Sequence, residues 1–205
     1  MEKLAIKNVI FDIGNVMVRW SPEEIIRLTF GENADIALIR SEVFQNEVWM
    51  NYNLGNMTQK QVSASLIQQF GFSSDQMDCF FYYLMTTQIQ IFGQQQLLQR
   101  IKDAGFGVYA LTDNVIDIVN YLKEQYDFWA LFDGEVVSDD VHLLKPQPEI
   151  YHHLLDTYQL KAQECVFTDD MSRNIRGCEA VGMHGIVFEN SAQLEARLHE
   201  LGLEF

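Results

Sequence analysis

Apolar runs that end abruptly on polar residues, each followed by a helical pattern, constrain this chain more than any other feature. Val9-Ile10-Phe11 stops at Asp12, Val108–Leu111 at Thr112-Asp113-Asn114, and Val166-Phe167-Thr168 at Asp169-Asp170. Short unbroken apolar runs of this kind fit strands buried on both faces, since a half-exposed strand would alternate. Between them lie helical periods: Val115–Tyr126 with Ile118, Val119 and Leu122, Glu149–Tyr158 with Ile150, Leu154 and Leu155, and Asn174–Val181 closed by Gly182. Gly134–Ser138 and Gly185–Phe188 are two further strand signals. Strands alternating with helices need crossover connections, which are right-handed and lay helices over both faces of a parallel sheet. The expected fold class is α/β.

A different kind of sequence interrupts this alternation. Pro22–Ile91 carries helical patterns over Glu23–Thr29, Ala34–Val43, Thr58–Phe70 and Asp75–Gln90, with few strand signals, and Thr58 with Gln61 has the form of a capping box. The expected organisation is a sheet core from residues 1–20 and 92–205, with a helical insertion over 21–91 above the carboxyl ends of the strands. Trp49, Tyr52, Phe80, Phe81, Tyr82 and Tyr83 are read as core of that insertion rather than as substrate contacts.

Charge narrows the partners. Asp and Glu number 29 against 14 Lys and Arg, for a formal net charge of −15. Such a surface repels nucleic acid and anionic membrane, so neither is expected to bind. It repels phosphate esters at long range as well, so an anionic substrate has to be drawn in by a local positive cluster or a metal. Cys79, Cys165 and Cys178 are odd in number and far apart, in apolar surroundings. They read as reduced core thiols of a cytoplasmic protein rather than as a disulfide framework or a zinc site. The N-terminus lacks a signal peptide's layout, and no apolar run approaches the ~20 residues of a membrane span. A soluble cytoplasmic monomer is the expectation.

Ligands of open parallel sheets bind beyond the carboxyl ends of the strands. The polar residues waiting there are Asp12, Thr112 to Asn114, Lys145 and Asp169-Asp170. Each has an ordinary reading alone: an Asp after a strand forms a turn or caps a helix, and a Lys before Pro is a solvated loop residue. Together on one edge they suggest a site. A carboxylate can attack phosphorus and form an aspartyl-phosphate. Two anions meet only if a hard cation neutralises them, and magnesium suits all-oxygen ligation. Lys145 would stabilise the phosphoryl oxygens, with Thr112 and Asn114 as neutral donors.

Four segments carry a family resemblance. Val9-Ile10-Phe11-Asp12-Ile13-Gly14-Asn15-Val16 resembles the first motif of the haloacid dehalogenase-like hydrolases, and Thr112-Asp113-Asn114 the second. Leu144-Lys145-Pro146-Gln147-Pro148-Glu149-Ile150-Tyr151 is similar to their lysine motif. Phe167-Thr168-Asp169-Asp170, with Asn174 and Gly182-Met183, resembles the fourth. They occur in family order and spacing over almost the whole chain. The resemblance implies a Rossmann-like core with an inserted helical cap, and a magnesium-dependent phosphatase acting on a small phosphorylated metabolite such as a sugar phosphate. It implies Asp12 as nucleophile and metal ligand, with the Gly14 carbonyl and Asp170 as further metal ligands. Thr112, Asn114 and Lys145 would hold the phosphoryl group. Asp169 would act on Lys145 or through metal-bound water, Asn174 would support that loop, and Asp113 would be structural or at the cap interface.

One position departs from the pattern. Phosphatases of this family usually carry a second Asp two residues after the nucleophile, as general acid and base, and here Gly14 stands there. An Asp-x-Gly-Asn form is shared by members resembling sugar-phosphate phosphatases. The alternatives are a 2-haloacid dehalogenase, which needs no metal, and a non-catalytic phosphate-binding relic.

Overall fold

The computed structural model describes residues 6–205; residues 1–5, the start of the expected core segment 1–20, lie outside the described residues. Five strands form one sheet: β1 (Asn8–Phe11), β2 (Gly107–Thr112), β3 (Gly134–Val137), β4 (Cys165–Asp169) and β5 (His184–Val187). All neighbours are parallel, in the order β3-β2-β1-β4-β5. The chain builds outward from β1 to β3, then crosses to the other side to add β4 and β5. The topological switch therefore falls between β1 and β4, where open α/β sheets form their ligand crevice. Phe11 is paired with Thr168, and the Asp12 amide donates to the Thr168 carbonyl at 2.9 Å. Asp12 and Asp169 thus leave the sheet side by side.

Helices α1 (Pro22–Phe30), α2 (Ile36–Phe44), α3 (Glu47–Asn53), α4 (Gln59–Phe70) and α5 (Ser74–Thr86) come between β1 and β2, followed by α6 (Gln94–Asp103). The remainder are α7 (Ile116–Gln125), α8 (Ser138–Val141), α9 (Pro148–Thr157), α10 (Ser172–Ala180) and α11 (Ser191–Glu200). Side chains alternate along β1 as the strand period requires: Ile10 joins an apolar cluster with Ile150, Leu154, Ile175 and Cys178 of α9 and α10. Val9 and Phe11 join another with Leu98 of α6, Val119 of α7 and Leu194 of α11. Ile25, Val43, Trp49, Val62 and Phe80 belong to that second cluster too, so apolar packing runs unbroken from the sheet into α1–α5.

Local signals explain the helix ends. Ser21 caps α1 ahead of Pro22, and the Thr58–Gln61 capping box is formed, with Gly71 closing α4 in the left-handed conformation. Ser73 and Gln76 make a second box at α5. Helix α3 has no counterpart among the expected elements: its seven residues bury only Trp49 and Tyr52, too short a pattern for a helical period. Helix α5 stops at Thr86 rather than at Gln90, because Gln90 bridges back to Val18 and Arg19 N binds the Ile89 carbonyl at 2.8 Å. The segments that enter and leave α1–α5 therefore lie side by side. Two side-chain readings need correction: Cys79 is exposed, and Tyr82 is 62% exposed rather than core, since both face outward from α5. Trp49, Tyr52, Phe80 and Phe81 are buried. No helix among the described residues is long and apolar enough to cross a membrane.

The turn between α3 and α4 docks on α8. Ser138 Oγ donates to the Asn53 carbonyl at 2.6 Å, and His142 Nδ1 meets the Leu54 carbonyl at 2.6 Å. Gly55 has φ +69°, and a β-carbon there would lie 2.1 Å from Asp139 Oδ1, so only glycine fits.

Candidate active site

Lys145 gathers the ends of three strands. Its Nζ lies 2.8 Å from Asp12 Oδ1 after β1 and 2.8 Å from Asp169 Oδ2 in β4, and it donates to the Leu111 carbonyl of β2 at 3.2 Å. Its own backbone amide is held by Asp113 Oδ1 at 3.0 Å, a structural contact and one of the two roles expected of Asp113. The lysine and both its carboxylate partners are buried: Lys145 is 5% exposed and Asp12 8%. Burial alone would push the lysine's pKa down, but Asp12, Asp169 and Asp113 outweigh it and hold the ammonium above its ordinary range. Burial pushes Asp12 up to about 8, with Lys145 pulling the other way and Asp169 adding repulsion. One lysine therefore does not satisfy the charge collected around it.

Asp169 is fully engaged. Its Oδ1 accepts from Met171 N at 2.8 Å and Asn174 Nδ2 at 3.0 Å, and its Oδ2 accepts from Asn174 and Lys145. It anchors the lysine and the turn before α10, where Asn174 binds it. Asp170 is half-buried, raised by that burial, and accepts from Asn15 Nδ2 at 3.0 Å. Carboxylate oxygens of Asp12, Asp169 and Asp170 lie within 4.8 Å of one another. Among the described residues, side chains take only Oδ1 of Asp12 and only Oδ2 of Asp170, so each has a second oxygen without a side-chain partner. The Gly14 carbonyl accepts none of the backbone hydrogen bonds of the turn after β1. Two available carboxylates and a carbonyl, with excess negative charge, fit a hard oxygen-seeking divalent cation.

Thr112 is buried at the end of β2. Asn114 is fixed by its amide to Ser138 Oγ and by its Oδ1 to Val115 N, both at 2.9 Å, leaving its Nδ2 donors available. Two residues here were not singled out from sequence. Ser138, fully buried, links Asn114 to Asn53 of the docked turn; a serine after a strand signals only a turn. Asn15 stands inside the first motif but its work is long-range: it holds Asp170 through Nδ2 and the Trp20 amide through Oδ1 at 2.8 Å. Its φ is +56°, a conformation asparagine tolerates and alanine does not. Asn15→Ala is expected to lose about 2 kcal/mol from strain and the missing bonds, measured by denaturant unfolding of the metal-free protein. An unchanged midpoint would show that the turn holds without this side chain. A cleft of about 510 Å³ between α4 and α5, lined in part by Lys60, Ser63 and Asp78, contains none of these residues.

The chain matches the haloacid dehalogenase-like hydrolase family over residues 6–182. It is 26% identical to the sesquiterpene phosphatase astK of Aspergillus oryzae over 95% of this chain and 96% of that one. It is 21% identical to the drimenol cyclase drtB of Aspergillus calidoustus over 98% of this chain, which spans only 38% of that protein. Its fold resembles that of the HAD family enzyme bt-2542 of Bacteroides thetaiotaomicron, solved in complex with magnesium and inorganic phosphate. The TM-score is 0.73 at 18% identity, over 93% of this chain and 99% of the other.

Proposed function

The chain belongs to the haloacid dehalogenase-like hydrolases, and from that premise we propose that it is a magnesium-dependent phosphatase of a small phosphate monoester, with Asp12 as nucleophile. The observation that carries this reading is the buried Asp12–Lys145 pair at the β1–β4 switch, with the second oxygens of Asp12 and Asp170 left for a cation. A dehalogenase acting on a carboxylate substrate without metal would gain nothing from Asp170.

An Asp12 oxygen attacks phosphorus, the bond from phosphorus to the ester oxygen breaks, and the departing alkoxide takes a proton from solvent. Water then attacks phosphorus, the Asp12–phosphoryl bond breaks, and inorganic phosphate leaves. Lys145 orients Asp12 and balances the phosphoryl oxygens; Thr112 and Asn114 donate to those oxygens. Asp12, Asp170 and the Gly14 carbonyl would hold magnesium, which would supply charge neutralisation. The helical stretch above the strand ends offers little to hold a second anion on the substrate. Residues 21–91 contain three cations, of which Arg27 pairs with Glu32 at 3.9 Å and Arg40 with Glu23 at 2.8 Å, while Lys60 lines the α4–α5 cleft. Nothing in that stretch is left to receive a second anion at the site. A sugar phosphate meets this condition, as does the monophosphate of a more apolar alcohol, and the similarity to a sesquiterpene phosphatase supports the latter. Phosphate release from a panel of phosphorylated metabolites, with magnesium and then with chelator, tests the reading; no release from any ester would favour the phosphate-binding relic.

Gly14 adds a prediction. A positioned acid contributes about 10²–10⁴-fold, and here the position that would hold it has no side chain. Nitrophenyl phosphate, whose phenolate departs unaided, is therefore expected to be cleaved much faster than an alkyl phosphate. Gly14 does not adopt a left-handed conformation, and a β-carbon there would meet only Trp20 Cβ, at 3.7 Å. A β-carbon at position 14 is thus accommodated, and Gly14→Asp is expected to flatten the dependence on leaving-group basicity. Single-turnover rates across a leaving-group series decide it: a flat dependence in the natural protein, with chemistry limiting, places the acid elsewhere. Tyr52 is one such place, a buried hydroxyl without a partner that burial, Asp117 and Asp139 keep protonated.

A further inference from the structure

The space that an acid at position 14 would fill is bordered by Trp20. A β-carbon on Gly14 has Trp20 Cβ at 3.7 Å and no other atom within 4 Å outside its chain neighbours. Trp20 is half-buried. Its backbone amide is held by Asn15, which also holds Asp170, so one side chain ties the indole's position to the acidic cluster. The ring stacks on Trp49 with centroids 6.2 Å apart at 24° and meets Phe44 edge-on at 5.8 Å. Trp49 in turn contacts Tyr52 and Phe80. Trp20 is thus where the aromatic cluster of α2, α3 and α5 reaches the catalytic edge. A half-covered indole braced by two buried or half-buried aromatics is a rigid apolar surface with little entropy to lose on binding.

We propose that Trp20 is a specificity-determining residue whose indole forms the wall for the ester's departing group, and that the protein prefers monophosphates of apolar alcohols to those of sugars. This rests on the phosphatase reading above and goes further by assigning the discriminating residue. Absence of a side chain at Gly14 and presence of Trp20 at its border belong together: the site gives up a proton donor and gains an apolar neighbour. Sugar hydroxyls against that wall would lose water without finding donors or acceptors in return. Methylenes against it gain by leaving water.

A series of 4-alkylphenyl phosphates from methyl to butyl tests this, because the phenols differ little in basicity while their apolar length grows. With magnesium present, kcat/KM read by phosphate release is expected to rise about fourfold per methylene until the wall is covered. The rise should flatten in Trp20→Ala and be intermediate in Trp20→Phe. Competitive inhibition by inorganic phosphate, which has no departing group, reports that the site of each variant is still assembled. If Trp20→Ala loses that inhibition, Trp20→Phe alone is compared. Release that is insensitive to chain length in the natural protein overturns the proposal, as does a slope unchanged in the tryptophan variants. Higher kcat/KM for a sugar phosphate than for an alkyl phosphate of equal leaving-group basicity also overturns it. Absence of release from every ester instead removes the phosphatase reading, so the two failures are told apart.

Discussion

Asp12→Asn is expected to lower phosphate-ester turnover by roughly 10⁴-fold or more, with the protein still folded. The amide keeps the carboxylate's shape but offers a neutral oxygen in place of the attacking anion. Folding should tolerate the change, because the amide fills the same space and removes a buried charge that Asp169 repels. Lys145 keeps its contacts to Asp169 and the Leu111 carbonyl, so its charge is not left alone. Thermal unfolding of the variant near that of the natural protein, together with lost turnover, separates a chemical defect from a structural one. Retained turnover, with deamidation excluded by mass spectrometry, would falsify the nucleophile assignment. Asp169→Asn is a useful contrast. It should damage both stability and activity, since Asp169 oxygens receive Lys145, Met171 N and Asn174.

The gathering of Asp12, Lys145, Asp169 and Asp170 at one edge could be read from sequence because each follows or flanks an apolar run, and runs of that kind have few ways to pack. Asp12 and Asp169 come off neighbouring parallel strands, so their meeting needs no detail beyond strand direction and adjacency. Strand order was not legible: nothing local to β3 or β4 states that the chain crosses back past β1. The role of Asn15 was equally hidden, because its partners are five and 155 residues away and depend on its left-handed backbone. Ser138 acts through Asn53, 85 residues earlier, and α3 gains its helical state from packing Trp49 and Tyr52 rather than from a periodic pattern. Position along α5 misled for Tyr82 and Cys79, since a helix rich in aromatics all round gives no sign of which face meets solvent. Local composition thus located the candidate residues, while those that brace them emerged only from contacts distant in sequence.

Removing magnesium is expected to abolish phosphatase activity, and returning it to restore activity. Asp12, Asp169 and Asp170 crowd around a single lysine before any substrate arrives, and the phosphoryl group brings further negative charge. Two like charges about 4 Å apart repel by about 4 kcal/mol at the effective dielectric of a protein site. One such uncompensated pair slows the attack by roughly 10³-fold. Excess chelator should therefore leave less than about a thousandth of the rate. Asp170→Asn should imitate this by raising the magnesium concentration needed for half-maximal rate, while leaving Lys145 and Asp12 paired. Calcium is expected to bind, since the available ligands are all oxygens, yet support turnover poorly. Its bonds of about 2.3–2.6 Å against about 2.0–2.1 Å for magnesium move the phosphoryl group off the line of attack, and a misplacement of about 1 Å is enough to lose roughly 10²-fold. Calcium should then act as a competitive inhibitor of magnesium activation. Full activity in excess chelator would point instead to metal-free displacement at carbon, and release of halide from a 2-haloacid by the same preparation would establish it.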